Sequence, residues 1–258
     1  MVTICPNLTM LFTDLPFLDR FGAAAHAGFT SVEFQLPYDF AVSDIRNRLV
    51  EHNLDLVMFN LPAGDWADGD RGIGANWERR DEFRRGIDLA LEYADVLHPK
   101  ALNLLAGISD ETDENDLALL QNARIAAEAL AEEGLTLLLE PINTVDIPGF
   151  ALPTAYAALD VIAEVGAPNL KLQLDIYHAV MMQEDPLELL RDHVESIGHI
   201  QIADVPGRHQ PGSGEIDWSL FFAALPALEY EGAVGLEYIP EGSTESSFSL
   251  LKEMGMLH

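Results

Sequence analysis

Four residues whose side chains present metal-capable oxygens, Glu140, Asp175, Gln201 and Glu237, fall near the C-terminal ends of four successive short apolar runs. Side chains alternate along a strand, so residues two apart share a face. That rule groups Thr136, Leu138 and Glu140; Lys171, Gln173 and Asp175; Ile197, His199 and Gln201; and Ala233, Gly235 and Glu237. If these faces point inward, three carboxylates and an amide converge at one end of a sheet. Carboxylates so close repel one another and raise one another's pKa. A divalent cation removes that conflict. An all-oxygen donor set favours a hard ion, Mg2+ or Mn2+, over Zn2+. A lone glutamate at a strand end is more often a solvated terminus than a ligand. Four on consecutive strands reverse that reading.

Other polar residues lie nearby. His178 follows Asp175 by three residues in DIYH, where it could meet a substrate oxygen or sit at a surface loop edge. His199 reads as a packed, hydrogen-bonded core histidine one layer below Gln201. Lys171 and Gln173 read as a polar network lower down. Arg208, in the loop after the seventh strand, can pair with a carboxylate. The run PGSGEI at 211–216 reads as a turn into a helix, with Glu215 placed to orient Arg208. Cys5, the single cysteine, excludes an intrachain disulfide and reads as a buried structural thiol rather than a nucleophile.

The elements that must hold these groups alternate along the chain. Strand-like runs occur at 2–6, 31–35, 54–61, 101–106, 135–140, 170–175, 198–203 and 233–238. Between them lie helical stripes: Phe17, Phe21 and Ala24; Phe83, Ile87, Ala90, Leu91 and Ala94; Leu117, Leu120, Ala123, Ala127 and Leu130. Gly28, Gly134 and Gly166 fall where helices should stop, and Pro16, Pro153 and Pro186 where they should start. Eight strands, each followed by a helical segment, predict an α/β fold, a single (β/α)8 barrel over residues 1–258. A doubly wound open sheet is the runner-up. Against it, NLTML at 7–11 lacks the glycine-rich phosphate turn such folds carry after the first strand. The stretch 62–76, rich in glycine and aspartate, reads as a cover over the site or as an ordinary surface loop.

Composition narrows the partners. The 258 residues carry 43 acidic and 14 basic side chains, a formal net charge of −29. That field repels nucleic-acid phosphates and anionic lipid, and opposes an anionic substrate unless a metal and local bases such as Arg71 and Arg208 counter it. The sequence shows no signal peptide and no run of about 20 apolar residues. A cytoplasmic protein with a small-molecule substrate is expected, without nucleic acid or membrane partners. No interface signature decides whether it forms a homo-oligomer.

Several motifs together resemble the hydroxypyruvate isomerase family, within the xylose isomerase-like barrels. They are NLTMLF at 7–12, VEFQLPYD at 32–39, FNLPAGDW at 59–66, RGI at 71–73, EPIN at 140–143, DIPGF at 146–150, LDIYH at 174–178, HIQIADVPGRHQPGSGEI at 199–216 and GLEY at 235–238. The resemblance implies a metal-dependent aldose–ketose isomerase taking hydroxypyruvate to 2-hydroxy-3-oxopropanoate through a cis-enediolate. It implies Glu140 and Glu237 as the acid–base pair, and these two with Asp175 and Gln201 as ligands of one Mg2+ or Mn2+. His178 and Arg208 match positions that contact substrate oxygens in related sugar epimerases, and Asn60 and Arg71 complete the expected substrate-binding set. A 2-oxo-tetronate isomerase and a ketose 3-epimerase of the same build are the alternatives, followed by a non-catalytic sugar-acid-binding barrel. Related nucleases use histidine ligands and several zinc ions, where this chain offers Gln201. Members often carry a lysine after the Glu-Tyr of the last strand; here that position is Ile239.

Overall fold

The computed structural model describes residues 2–110 and 112–257. Seven parallel strands form one sheet, in the order β1 (Thr3–Pro6), β9 (Ala233–Leu236), β8 (Ile197–Ile202), β7 (Leu170–Asp175), β6 (Thr136–Leu139), β5 (Ala101–Leu104) and β4 (Met58–Asn60). A parallel pair, β2 (Ser31–Val32) and β3 (Asp55–Leu56), closes the gap between β1 and β4. Glu33 N–H donates to Pro6 O and Leu8 N–H to Glu33 O on one side; Val57 N–H donates to Val32 O and Asn60 N–H to Gln35 O on the other. The ring is therefore complete and the expected barrel forms. The predicted strands at 31–35 and 54–61 are shorter or interrupted as ladders, because these are the places where the seven-stranded sheet is joined by the short pair.

Helices follow the strands: α1 (Phe17–His26), α2 (Val42–His52), α3 (Arg80–Leu97), α4 (Asp113–Glu132), α5 (Ala155–Val165), α6 (Ile176–Met181) with α7 (Pro186–His193), α8 (Trp218–Ala227) and α9 (Ser249–Glu253). Thr112, Thr154, Asp185 and Asp217 cap four of them by accepting backbone N–H bonds. Gly166 closes α5 in the left-handed conformation and Pro186 opens α7, as their positions suggest. On α4 the stripe is rotated from the predicted one. Leu117 is exposed, and Leu119, Ala123, Ala126, Ala127 and Leu130 face the sheet. Small alanines there let the helix approach the strands closely. No helix among the described residues is long and apolar enough to cross a membrane.

The large core lies between strands and helices. A second, small cluster, Cys5, Val57, Met58, Ala101, Leu138 and Ala233, is drawn from the strands and the link between β3 and β4 and plugs the barrel below the site. Cys5 is buried and free, as its reading as a structural thiol requires. Lys171 does not join Gln173. It turns out to the barrel's N-terminal rim and donates to Glu195 O.

The loop after β8 must present Arg208. Its organiser is Asp204, fully buried, whose carboxylate accepts the N–H groups of Val205, Gly212 and Ile216 and the indole Nε1–H of Trp218. PGSGEI is thereby a turn leading into α8. Glu215 is exposed and holds the loop only through its backbone N–H to Val205 O, so it does not orient Arg208. Replacing Asp204 with alanine leaves the buried Trp218 indole and three partly buried N–H groups without their acceptor, and unfolding in urea should show a loss of about 1–3 kcal/mol. A loss within experimental error would remove Asp204 from this role.

Candidate active site

An amide or a carboxylate stands at the C-terminal side of eight positions around the barrel, each at the last strand residue or one step from it except Gln35, three residues past the end of β2. Glu140, Asp175, Gln201 and Glu237 supply one half of the circle, and Asn7, Gln35, Asn60 and Asn103 the other. All but Gln35 are buried. Ladder pairing sets neighbours: Asn60 lies opposite Asn103, and Asp175 opposite Gln201.

Hydrogen bonds then sort the ring. Asn103 Nδ2 donates to Glu140 Oε2 at 2.8 Å and to Asn60 Oδ1 at 3.1 Å. Glu237 Oε1 accepts from Asn7 Nδ2 at 3.0 Å and Gln35 Nε2 at 2.9 Å. Asp175 spends Oδ1 on capping α6 through Tyr177 N–H, leaving Oδ2 facing inward. Arg208 enters from above: its NH2 lies 3.2 Å from Asp175 Oδ2 and 2.5 Å from Glu237 Oε2. The backbone of Arg208 holds φ at 56°, a left-handed conformation unusual for a bulky residue. Its carbonyl accepts Ile239 N–H, and its guanidinium stands 5.2 Å from the Tyr177 ring centroid. Ile239 itself is exposed, so nothing cationic enters the site from that position.

The tautomer of His178 follows from the motif before it. Asn143 Oδ1 takes Asp146 N–H, so Asn143 Nδ2 must point the other way, donating to Asp146 Oδ2 and to His178 Nδ1 at 2.7 Å. With Nδ1 accepting, Nε2 carries the hydrogen. That hydrogen points toward Asp175 Oδ2, 3.5 Å away. Burial and then the Arg208 charge hold His178 well below its ordinary pKa, so it stays neutral.

One atom each of Glu140, Asp175 and His178 lie within 4.8 Å of one another, all buried. Burial, then Glu237, then Asp175 push Glu140 well above the usual carboxylate range. Burial, reinforced by Glu237 and opposed by Arg208, pushes Asp175 up to about 7. One guanidinium is thus too little positive charge for three buried carboxylates, and the donor set fits a small divalent cation. Gln201 sits beside this group, with Nε2 on Glu33 and Oε1 accepting from Gln173 Nε2.

Asn60, Glu140, His178, Arg208 and Glu237 line a cavity of about 100 Å3. Trp66, from the 62–76 loop, forms part of its wall, so this loop does reach the site. Close packing permits it: Gly72 adopts φ 119°, and a Cβ there would strike Leu105 O. Arg71 does not reach the cavity. Its guanidinium stacks on the Trp66 ring, 4.5 Å from the centroid, and donates to Trp66 O and Asp70 O. The reason is reach: the neighbouring indole takes up the cation before it can extend inward.

Glu33 was not picked out by its sequence position, although alternation from Ser31 does aim it inward. It is fully buried and accepts from Asn7 Nδ2, Gln201 Nε2, His199 Nε2 and Cys5 Sγ. His199 is the packed core histidine expected of it.

Residues 21–254 match the xylose isomerase-like TIM barrel family. Hydroxypyruvate isomerase of Escherichia coli (strain K12) is 42% identical over 249 residues, covering 95% of this chain and 96% of that one. The chain belongs to the hydroxypyruvate isomerase family. A 2-oxo-tetronate isomerase of Cupriavidus necator is 41% identical, covering 95% and 96%. Within the family's wider fold, a crystal structure described as AP endonuclease, family 2, from Brucella melitensis superposes with a TM-score of 0.96 at 41% identity, covering 98% of this chain and 99% of that one. The family's members named here as isomerases place this chain among the isomerases.

The raised Asp175 has a signed consequence for stability. Between about pH 4, where an unfolded aspartate ionises, and about 7, the folded metal-free protein keeps a proton that the unfolded chain releases. Stability from this group therefore falls as pH rises through that window. Asp175→Asn removes the effect, so the variant's melting temperature relative to the native chain should climb from pH 4 to pH 7. A difference that stays flat or declines contradicts the assignment.

Proposed function

We propose that the chain is a metal-dependent isomerase that interconverts hydroxypyruvate and 2-hydroxy-3-oxopropanoate, with Glu140 and Glu237 as its acid–base pair. The observation that carries this reading is the placement of two buried glutamates on the wall of one small cavity, beside a neutral histidine and an arginine. Glu140, Asp175, Gln201 and Glu237 would hold one Mg2+ or Mn2+. When bound, that ion supplies a Lewis acid for the oxygens at C2 and C3 of the substrate and lowers the cost of negative charge there.

The protein's own groups do the rest. In one direction Glu237 takes a proton from C3, the C3–H electrons form the C2–C3 double bond, and the C2 carbonyl oxygen gains the charge of a cis-enediolate. Glu140, the other member of the pair, returns a proton to C2. The C3 hydroxyl loses its proton to the oxygen on C2 as the aldehyde forms, so atoms and charge balance. The reverse reaction exchanges the two roles. His178 donates through Nε2–H to a substrate oxygen. Arg208 has a buried Nε without a partner among the described residues, free to face a carboxylate. Asn60 and Gln35 offer further polar contacts, and Trp66 with Ile142 and Ile147 excludes water. The 42% identity to the Escherichia coli hydroxypyruvate isomerase supports a three-carbon acid as the substrate. A four-carbon 2-oxo acid is the nearest alternative, on the strength of the Cupriavidus necator relative. Strand scission of DNA is disfavoured by the net charge of −29.

Glu140→Gln and Glu237→Gln should each lower kcat by about 10^2–10^4; in D2O, Glu237→Gln should also lose proton exchange at C3 of hydroxypyruvate, and Glu140→Gln exchange at C2 of 2-hydroxy-3-oxopropanoate. Chelation should abolish turnover, and added Mg2+ or Mn2+ should restore it. Turnover of 2-oxo-tetronate but not hydroxypyruvate moves the assignment within the family. Incision of abasic DNA, with no carbon-proton exchange in either acid, overturns it.

A further inference from the structure

We infer that Glu33 is a positioning residue: from one layer below the site it fixes which end of the Gln201 amide faces the cation, and so sets metal affinity without touching the metal. The inference rests on the metal reading proposed above. A carboxylate only accepts, whereas an amide presents an oxygen at one end and two N–H donors at the other. Glu33 Oε1 receives Gln201 Nε2 at 2.8 Å and Asn7 Nδ2 at 3.1 Å. The NH2 end of Gln201 is thereby committed to Glu33. Its oxygen accepts from Gln173 Nε2 at 2.6 Å, which uses one of its two lone pairs and leaves the other for a cation. Were the amide reversed, two N–H groups would face a position that the neighbouring carboxylates make fit for a cation.

The same carboxylate steadies Glu237. Asn7 Nδ2 bridges Glu33 Oε1 and Glu237 Oε1, at 3.1 and 3.0 Å, and Asn7 Oδ1 is fixed by Thr9 N–H. Asn7 can therefore present only donors to the two acids.

Two observations indicate that the position is built for an anion. His199 Nε2 lies 2.6 Å from Glu33 Oε2 in a fully buried pair. Strand β9 gives up a side chain at this level: Gly235 packs against the Glu33 carboxylate, and any Cβ there would collide with it. A merely space-filling role would be met by an apolar residue, with no histidine partner needed.

Glu33→Gln tests this, because the neutral isostere no longer demands donors. Mn2+ binding, read by calorimetry or by electron paramagnetic resonance of free Mn2+, should weaken by about 10–100-fold while circular dichroism stays native. Adding Gln201→Glu in that background should recover the affinity, since a carboxylate offers oxygen whichever way it turns. In the native background Gln201→Glu should not strengthen binding, because it faces Glu33. If Glu33→Gln does not fold, Glu33→Asp, which keeps the charge but withdraws the carboxylate, should show the same weakening and the same recovery. Native affinity in whichever Glu33 variant folds, or weakening that Gln201→Glu leaves unrelieved, overturns the inference. Absence of Mn2+ binding in the native chain instead overturns the metal reading, and this inference with it.

Discussion

Negative charge buried at the C-terminal end of the barrel is the condition to which the rest of the structure responds. Glu140, Asp175 and Glu237 are each almost inaccessible, and Glu33 lies fully enclosed just below them. Water cannot solvate them, so their charge must be met by donors, by Arg208, by protons or by a cation. The protein supplies the donors from opposite strands: Asn7 and Gln35 for Glu237, Asn103 for Glu140, the α6 backbone for Asp175. The remaining imbalance raises Asp175 and Glu140. A site with this surplus of buried negative charge is one in which a cation would be stabilised.

The polar lattice has two tiers. The upper one meets the cavity, and the lower one, Glu33, His199, Gln173 and Cys5, turns the upper side chains to the correct face. Below both, the apolar plug of Met58, Leu138 and their neighbours seals the barrel. This order places a low-dielectric floor under the charges, where hydrogen bonds are stronger and misdirected ones cost more. The loops complete the site from above. Asp204 ties the Arg208 loop, the Asn143–Asp146 turn sets the His178 tautomer, and the 62–76 loop brings Trp66 to the wall.

Much of the site could be seen in the chain order because strand alternation is strict. Glu140, Asp175, Gln201 and Glu237 each fall two residues from another inward position, and the period of two is a local property of extended backbone. Asn7, Gln35 and Asn103 obey the same rule, but isolated amides in short runs resemble ordinary turn residues. Their partners are 37 to more than 200 positions away. Arg71 sits in a motif that suggests substrate contact, yet the adjacent Trp66 ring captures its guanidinium. Of the α4 stripe read from the sequence, Ala123, Ala127 and Leu130 are buried, whereas Leu117 stands on the edge of that face and is exposed, its place taken by Leu119.

The sequence by itself determined the alternation of strand and helix, the inward direction of the strand-end carboxylates and the surplus of acid over base. These follow from short-range backbone periodicity and from composition, which need no knowledge of neighbours. The tertiary structure alone decided what stands opposite each carboxylate: that Glu33 faces His199 and two amides, that Arg208 bridges Asp175 and Glu237, and that Gly235 yields its space. Closing the barrel brings the first strand against the last. The electrostatics of the site are set by those contacts, because the field a buried charge feels depends on distance through space and not on separation along the chain.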